Sequence, residues 1–134
     1  MKKVLTVGVF DYLHIGHVKL FERAKQCGDY LIVAVQDSDI VHKYKPDSQL
    51  LYSMEERMYM VNAIKYVDEV IRYRAIDEIV KEVDFNVLVT GVDQNHEGFQ
   101  KAIEWCKTHD KETCILSRTE GISSSLIKAI VSDV

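Results

Sequence analysis

Two histidines, His14 and His17, stand three residues apart around Ile15 and Gly16, directly after the apolar run Val4 to Val9. Residues three apart on a helical turn share a face, so a helix starting here aims both imidazoles the same way. Gly16 between them lets a ligand approach the backbone closely. A helix N-terminus adds unpaired amides and a partial positive charge. The combination suits an anion, with phosphate oxygens taking the hydrogen bonds. The surrounding stretch, Gly8-Val-Phe-Asp-Tyr-Leu-His-Ile-Gly-His17, is neither a GxGxxG fingerprint nor a P-loop, which requires GK[ST]. Metal binding is the other option, and the residues able to add a third ligand are Asp11 and Asp93.

A second polar cluster is Arg118-Thr119-Glu120-Gly121-Ile122-Ser123-Ser124-Ser125. It precedes an apolar helical pattern through Leu126, Ile127, Ile130 and Val131. It is either an N-cap with surplus serines or a second phosphate-binding turn, with Arg118 able to stack on a base or pair with a phosphate. Lys43 and Lys45 lie in a polar stretch, either as solvated surface or as a lid that brings cations onto a polyphosphate. Asp93 follows Gly91 and can accept from a base or ribose or help hold Mg²⁺. Arg57 lies one turn into a helix, and Arg72 and Arg74 place two guanidinium forks near the end of a strand, where they suit phosphate or carboxylate oxygens.

These residues must be positioned by the elements between them. Val4 to Val9, Tyr30 to Val35, Val67 to Ile71, Asn86 to Thr90 and Thr113 to Leu116 read as five short buried strands. Helical spacing marks residues 16–27, a segment from the capping box Ser53-Met-Glu-Glu56 to about Lys65, Ile76 to Val83, Phe99 to Cys106, and the stretch after Gly121. Residues 36–52 read as a long loop. Strands alternating with amphipathic helices imply a single α/β domain over 1–134, a doubly wound, Rossmann-like, five-stranded parallel sheet with helices on both faces. Ligands of such sheets bind beyond the carboxyl ends of the strands, which is where the candidate residues fall.

Composition agrees. The chain has 134 residues, 47% hydrophobic and 28% charged, with one Pro and six Gly. This excludes disordered and fibrous classes. A formal charge of −4 argues against non-specific nucleic-acid binding. Three widely spaced cysteines with no CxxC indicate neither a zinc site nor a disulfide framework. No signal-like h-region or long apolar stretch is present, so a soluble, cytoplasmic protein is expected.

With His14-Ile-Gly-His17 after a first strand, Arg118-Thr-Glu-Gly-Ile-Ser-Ser124 before the last helix, and Tyr66-Val-Asp-Glu-Val-Ile71 between them, the chain resembles the cytidylyltransferases of the HxGH nucleotidyltransferase superfamily, most closely the bacterial glycerol-3-phosphate enzymes. The resemblance implies CTP contacts at Val9, Phe10, His14, His17, Lys43 and Asp93 and along Arg118 to Ser125, and the residues' own chemistry adds Gly16 and Lys45 as expected nucleotide contacts. It implies catalytic roles for His14, His17 and Lys43, a Mg²⁺ ion accompanying CTP, and a homodimer. Asp11, Arg57, Arg72 and Arg74 are the candidates for the acceptor, expected to be glycerol 3-phosphate or a related polyol or sugar phosphate. Two stretches bordering that pocket depart from the glycerol-3-phosphate pattern: Arg72-Tyr-Arg-Ala-Ile76, and Gly91-Val-Asp-Gln94 where the family has Gly-Asp-Asp-Trp. The rival expectations are an ATP-dependent adenylyltransferase of the same superfamily acting on a sugar phosphate, and a non-catalytic nucleotide-binding protein.

Overall fold

The structure, a computed structural model, describes residues 1–47 and 49–117. Five strands, β1 (Lys3–Gly8), β2 (Tyr30–Gln36), β3 (Glu69–Tyr73), β4 (Val87–Gly91) and β5 (Glu112–Leu116), form one sheet in the order β3-β2-β1-β4-β5. Every pairing is parallel. The connecting helices are α1 (Ile15–Lys25), α2 (Ser38–Tyr44), α3 (Met54–Asn62), α4 (Ile76–Glu82) and α5 (Glu97–Thr108). This is the expected doubly wound architecture.

The period-2 alternation of strand side chains divides the apolar residues between two cores. Val4, Leu31, Val33, Val35, Val87 and Val89 face α1 and α3, where Phe21, Ala24, Met54 and Val61 meet them. Leu5, Val7, Ile32, Ala34 and Leu88 face the other way, against Ile76, Ile79 and Val80 of α4 and Phe99, Ala102 and Cys106 of α5. A sheet covered on both faces explains why its strands read as continuous apolar runs. Thr6 is the exception in β1; fully buried, it donates its hydroxyl hydrogen to the Val89 carbonyl at 2.9 Å.

Two sequence expectations are corrected. The polar stretch after β2 is not loop throughout: Ser38–Tyr44 is a helix, because Ile40 and Val41 fall on one side of a turn and bury while their polar neighbours stay outside. A second helix therefore joins α3 between β2 and β3, in place of a simple strand-helix repeat. The third strand runs two residues later than its apolar signal, over Glu69–Tyr73, in register with Ile32 to Gln36. The capping box of α3 forms as expected, Ser53 Oγ accepting from the Glu56 amide at 3.2 Å and Glu56 Oε1 from the Ser53 amide at 3.0 Å. The helix expected after β5 lies outside the described residues. Among the described residues no helix is long and apolar enough to cross a membrane.

Candidate active site

The order of the strands reverses between β1 and β4: β2 and β3 are added on one side of β1, β4 and β5 on the other, and this is the place where doubly wound sheets open a crevice. The two strands are registered from Val4↔Val87 only as far as Thr6↔Val89, and beyond them lies a cavity of about 990 Å³. His14, Gly16 and His17 line it from the start of α1, Gly8, Val9 and Phe10 from the end of β1, and Gly91, Asp93 and Gln94 from the turn after β4.

The paired histidines are held by one reciprocal cap. His14 is the N-cap of α1, and its Nδ1 accepts the Gly16 amide hydrogen at 2.9 Å. His17 Nδ1 accepts the His14 amide hydrogen at 3.1 Å. The rings stack with centroids 3.9 Å apart and planes inclined by 29°. Each Nδ1 is an acceptor, so in each neutral ring the proton resides on Nε2. Burial keeps both rings neutral: it lowers the His14 pKa, and together with the neighbouring His14 charge it lowers that of His17 to about 4. At neutral pH the site therefore carries two neutral Nε2–H donors.

The loop behind them is strained. Phe10 and Tyr12 have φ of 55° and 49°, a region that costs a residue with a Cβ about 1–3 kcal/mol. The strain seats the Phe10 ring between His17, edge-on at 5.6 Å, and Phe21 at 5.1 Å. Gly8 makes room for that ring, since a Cβ there would stand 2.7 Å from Phe10 Cζ.

Two residues that the sequence places at the acceptor serve as ties. Arg57 is fully buried and is not a wall of the cavity. Its Nη1 donates to the carbonyls of Val9 and Gln36, both at 2.9 Å, and its Nη2 to Ser38 Oγ at 2.6 Å. The guanidinium joins the end of β2 to the residue after β1. Asp11 does line the cavity, and its carboxylate oxygens accept the amides of Leu51 at 2.7 Å and Tyr52 at 3.1 Å, pinning the chain that leads into α3.

The remaining cations divide. Lys45 and Arg74 line the cavity, whereas Lys43 and Arg72 do not. Lys43 is exposed on the last turn of α2, its ammonium 5.8 Å from the centre of the Tyr44 ring. Arg72 Nη2 lies 3.1 Å from Asp37, and Arg74 Nη1 lies 2.8 Å from Asp39. Sequence reading missed these two carboxylates because both lie in the stretch taken as loop. The metal option also changes: among the described residues no three His, Cys, Asp or Glu side chains gather to hold an ion, and both histidine Nδ1 atoms are engaged by amides. Arg118 to Ser125 lie outside the described residues. Ser117, immediately before them, lines the cavity and accepts from Arg23 Nη1 through its carbonyl at 2.9 Å.

Gln94, the last residue of the Gly91-Val-Asp-Gln94 stretch that departs from the glycerol-3-phosphate pattern, bonds the ends of two strands. Its Nε2 donates to the Val7 carbonyl at 2.8 Å and its Oε1 accepts the Gly91 amide at 2.9 Å. His96 is likewise an N-cap, accepting the Gly98 amide on Nδ1 at 3.1 Å at the start of α5. A histidine two residues before a glycine at a helix start is the signal that both caps share.

The family described as cytidylyltransferase-like matches residues 5–130. Glycerol-3-phosphate cytidylyltransferase of Bacillus subtilis (strain 168) is 38% identical over 133 residues, covering 96% of this chain and 95% of its own. An FAD synthase of Ferroglobus placidus is 38% identical over 100 residues, 72% of this chain and 63% of its own. In fold, the chain resembles a lipopolysaccharide core biosynthesis protein of Thermoplasma volcanium with a TM-score of 0.72 and 24% identity, over 89% of this chain and 97% of that one.

Proposed function

The chain belongs to the cytidylyltransferase-like family and is a nucleotidyltransferase, and from that premise we propose that it transfers CMP from CTP to a small phosphorylated alcohol, glycerol 3-phosphate first among the candidates. The observation that carries this reading is the stacked pair of neutral imidazoles, each with Nδ1 held by an amide and Nε2–H left for a ligand.

In the reaction an acceptor phosphate oxygen attacks the α-phosphorus of CTP. The new P–O bond forms as the bond to the α,β-bridging oxygen breaks, and pyrophosphate leaves. A phosphate monoester has a second pKa of about 6, so near pH 7 it is already a nucleophile and no side chain need take a proton from it. The protein's task is then alignment and charge stabilisation. His14 and His17 donate Nε2–H to the phosphoryl oxygens as charge develops on them. The start of α1 adds its amides to the same anion. Lys45, in the cavity wall, offsets phosphate charge, and the segment Arg118 to Ser125 holds the rest of the nucleotide in this reading. Mg²⁺ is expected to arrive with CTP. Among the described residues no three His, Cys, Asp or Glu side chains gather to hold it, and phosphate oxygens of CTP would supply ligands. A homodimer working in the cytoplasm completes the proposal.

The FAD synthase match favours a second reading, adenylyl transfer from ATP. One experiment separates the two: pyrophosphate release from CTP or ATP, with Mg²⁺, against glycerol 3-phosphate and a panel of polyol and sugar phosphates. Release from CTP with glycerol 3-phosphate supports the first reading. Release from ATP alone replaces it with the second.

A further inference from the structure

Beyond Thr6↔Val89 the ladder between β1 and β4 stops, although β1 continues to Gly8 and β4 to Gly91. Val7 is fully buried, so its carbonyl requires a partner within the protein. The Gln94 side chain supplies one: its amide donates to Val7 at 2.8 Å and accepts from Gly91 at 2.9 Å. A carboxamide carries the same donor and acceptor pair as a peptide unit, so Gln94 acts as a side-chain rung inserted where a backbone rung would otherwise form. The backbone N–H of Gln94 closes the turn after β4, donating to the Gly91 carbonyl at 3.1 Å.

We propose that Gln94 is a positioning residue for the nucleotide, a prop that fixes the width of the crevice between the ends of β1 and β4. The proposal rests on the nucleotidyltransferase reading above and assigns within that site a residue that does not touch the reacting atoms. The two functions separate structurally. The hydrogen bonds that orient His14 and His17 lie within residues 14–17 and do not involve Gln94. Gly8 and Gly91, in the cavity walls, each lie at or next to a residue that Gln94 bonds. Losing the prop should therefore weaken nucleotide binding and leave the chemical step nearly intact.

Two variants test this. Gln94→Met keeps the volume and removes both hydrogen bonds. Gln94→Glu keeps an acceptor for the Gly91 amide but sets a carboxylate oxygen against the Val7 carbonyl. Each should raise the Kd for CTP, measured by calorimetry, about tenfold, as expected if the crevice without its prop holds the binding width about a tenth of the time. The kcat at saturating CTP should stay within about threefold of wild type, while the KM for the acceptor changes little. Should Gln94→Met fail to fold, Gln94→Asn, polar but too short to span both partners, carries the same expectation. If a folded variant binds CTP as wild type does, or loses kcat and affinity equally, the proposal is overturned. If wild-type protein binds neither CTP nor ATP, the nucleotidyltransferase reading falls first and takes the proposal with it.

Discussion

At the scale of single residues, the site depends on which nitrogen of each histidine is occupied. His14 and His17 use Nδ1 to hold the helix start, so their other nitrogens are fixed in direction before any ligand arrives. Removing either imidazole should lower kcat by about 10²–10³, the usual cost of one donor to transition-state charge. The KM for CTP should change far less, and steady-state kinetics of His14→Ala and His17→Ala separate the two effects. A change confined to KM would make that histidine a binding group only. The same burial also gives a pH signature. The folded-state pKa of His17 is about 4, against about 6.5 in an unfolded chain. Between those values the unfolded chain binds a proton that the folded protein refuses, so stability falls as pH drops through this window and levels off near 4. In His17→Asn the amide oxygen can still accept from the His14 backbone but cannot titrate. Urea midpoints from pH 7 to pH 4.5 should fall less steeply for that variant than for wild type.

At the scale of elements, the β1-loop-α1 unit sets the position of His17. Its spacing was legible in the sequence: an apolar run, then two histidines about a glycine at a helix start. The role of Arg57 was not, because periodicity tells which face a residue occupies and says nothing about the carbonyls waiting there. Read alone, a basic residue one turn into a helix looks like a ligand contact; here the ends of β1 and β2 both require a donor and Arg57 satisfies them. The same blindness hid α2, whose two apolar residues are too few to show a helical period. Two predictions follow from the packing. Arg57→Met leaves the Val9 and Gln36 carbonyls without their donor and should cost about 2–4 kcal/mol of stability, read as a lower urea midpoint. Acceptor preference should stay as in wild type, because Arg57 lies behind the cavity; altered preference would return it to the acceptor pocket. Gly8→Ala places a methyl where the Phe10 ring lies. The ring must move, and His17, packed edge-on against it, moves too. A displacement of about 1 Å in a catalytic group can cost about 10² in rate, so kcat should fall sharply while Gly8→Ala in a Phe10→Leu background, with no ring to displace, falls less.

At the scale of the whole molecule, the order β3-β2-β1-β4-β5 brings together segments far apart in the chain. Residues after β1 and after β4, more than 70 positions apart, share one crevice because the topology puts their strands side by side at its centre. That convergence was legible in outline, since parallel sheets bind beyond their carboxyl ends. Strand order and the inward or outward aim of each cation were not, because both depend on partners distant in sequence. The arrangement also couples binding to global stability. A ligand seated on the ends of the central strands binds only when those strands are assembled, so it must stabilise the entire fold. At a concentration of about 100 Kd such a ligand adds about 2.7 kcal/mol, which for a chain of this size is a rise in Tm of several degrees. The order of the shifts then reports the chemistry of the cavity. CTP with Mg²⁺ should raise Tm more than ATP or GTP at equal concentration, and glycerol 3-phosphate alone should raise it less than CTP, since most of the phosphate-directed groups are assigned to the nucleotide. A larger shift with ATP would favour adenylyl transfer. The absence of any shift with either nucleotide, at concentrations up to several millimolar, would mean that the crevice beside His14 and His17 is not a nucleotide site.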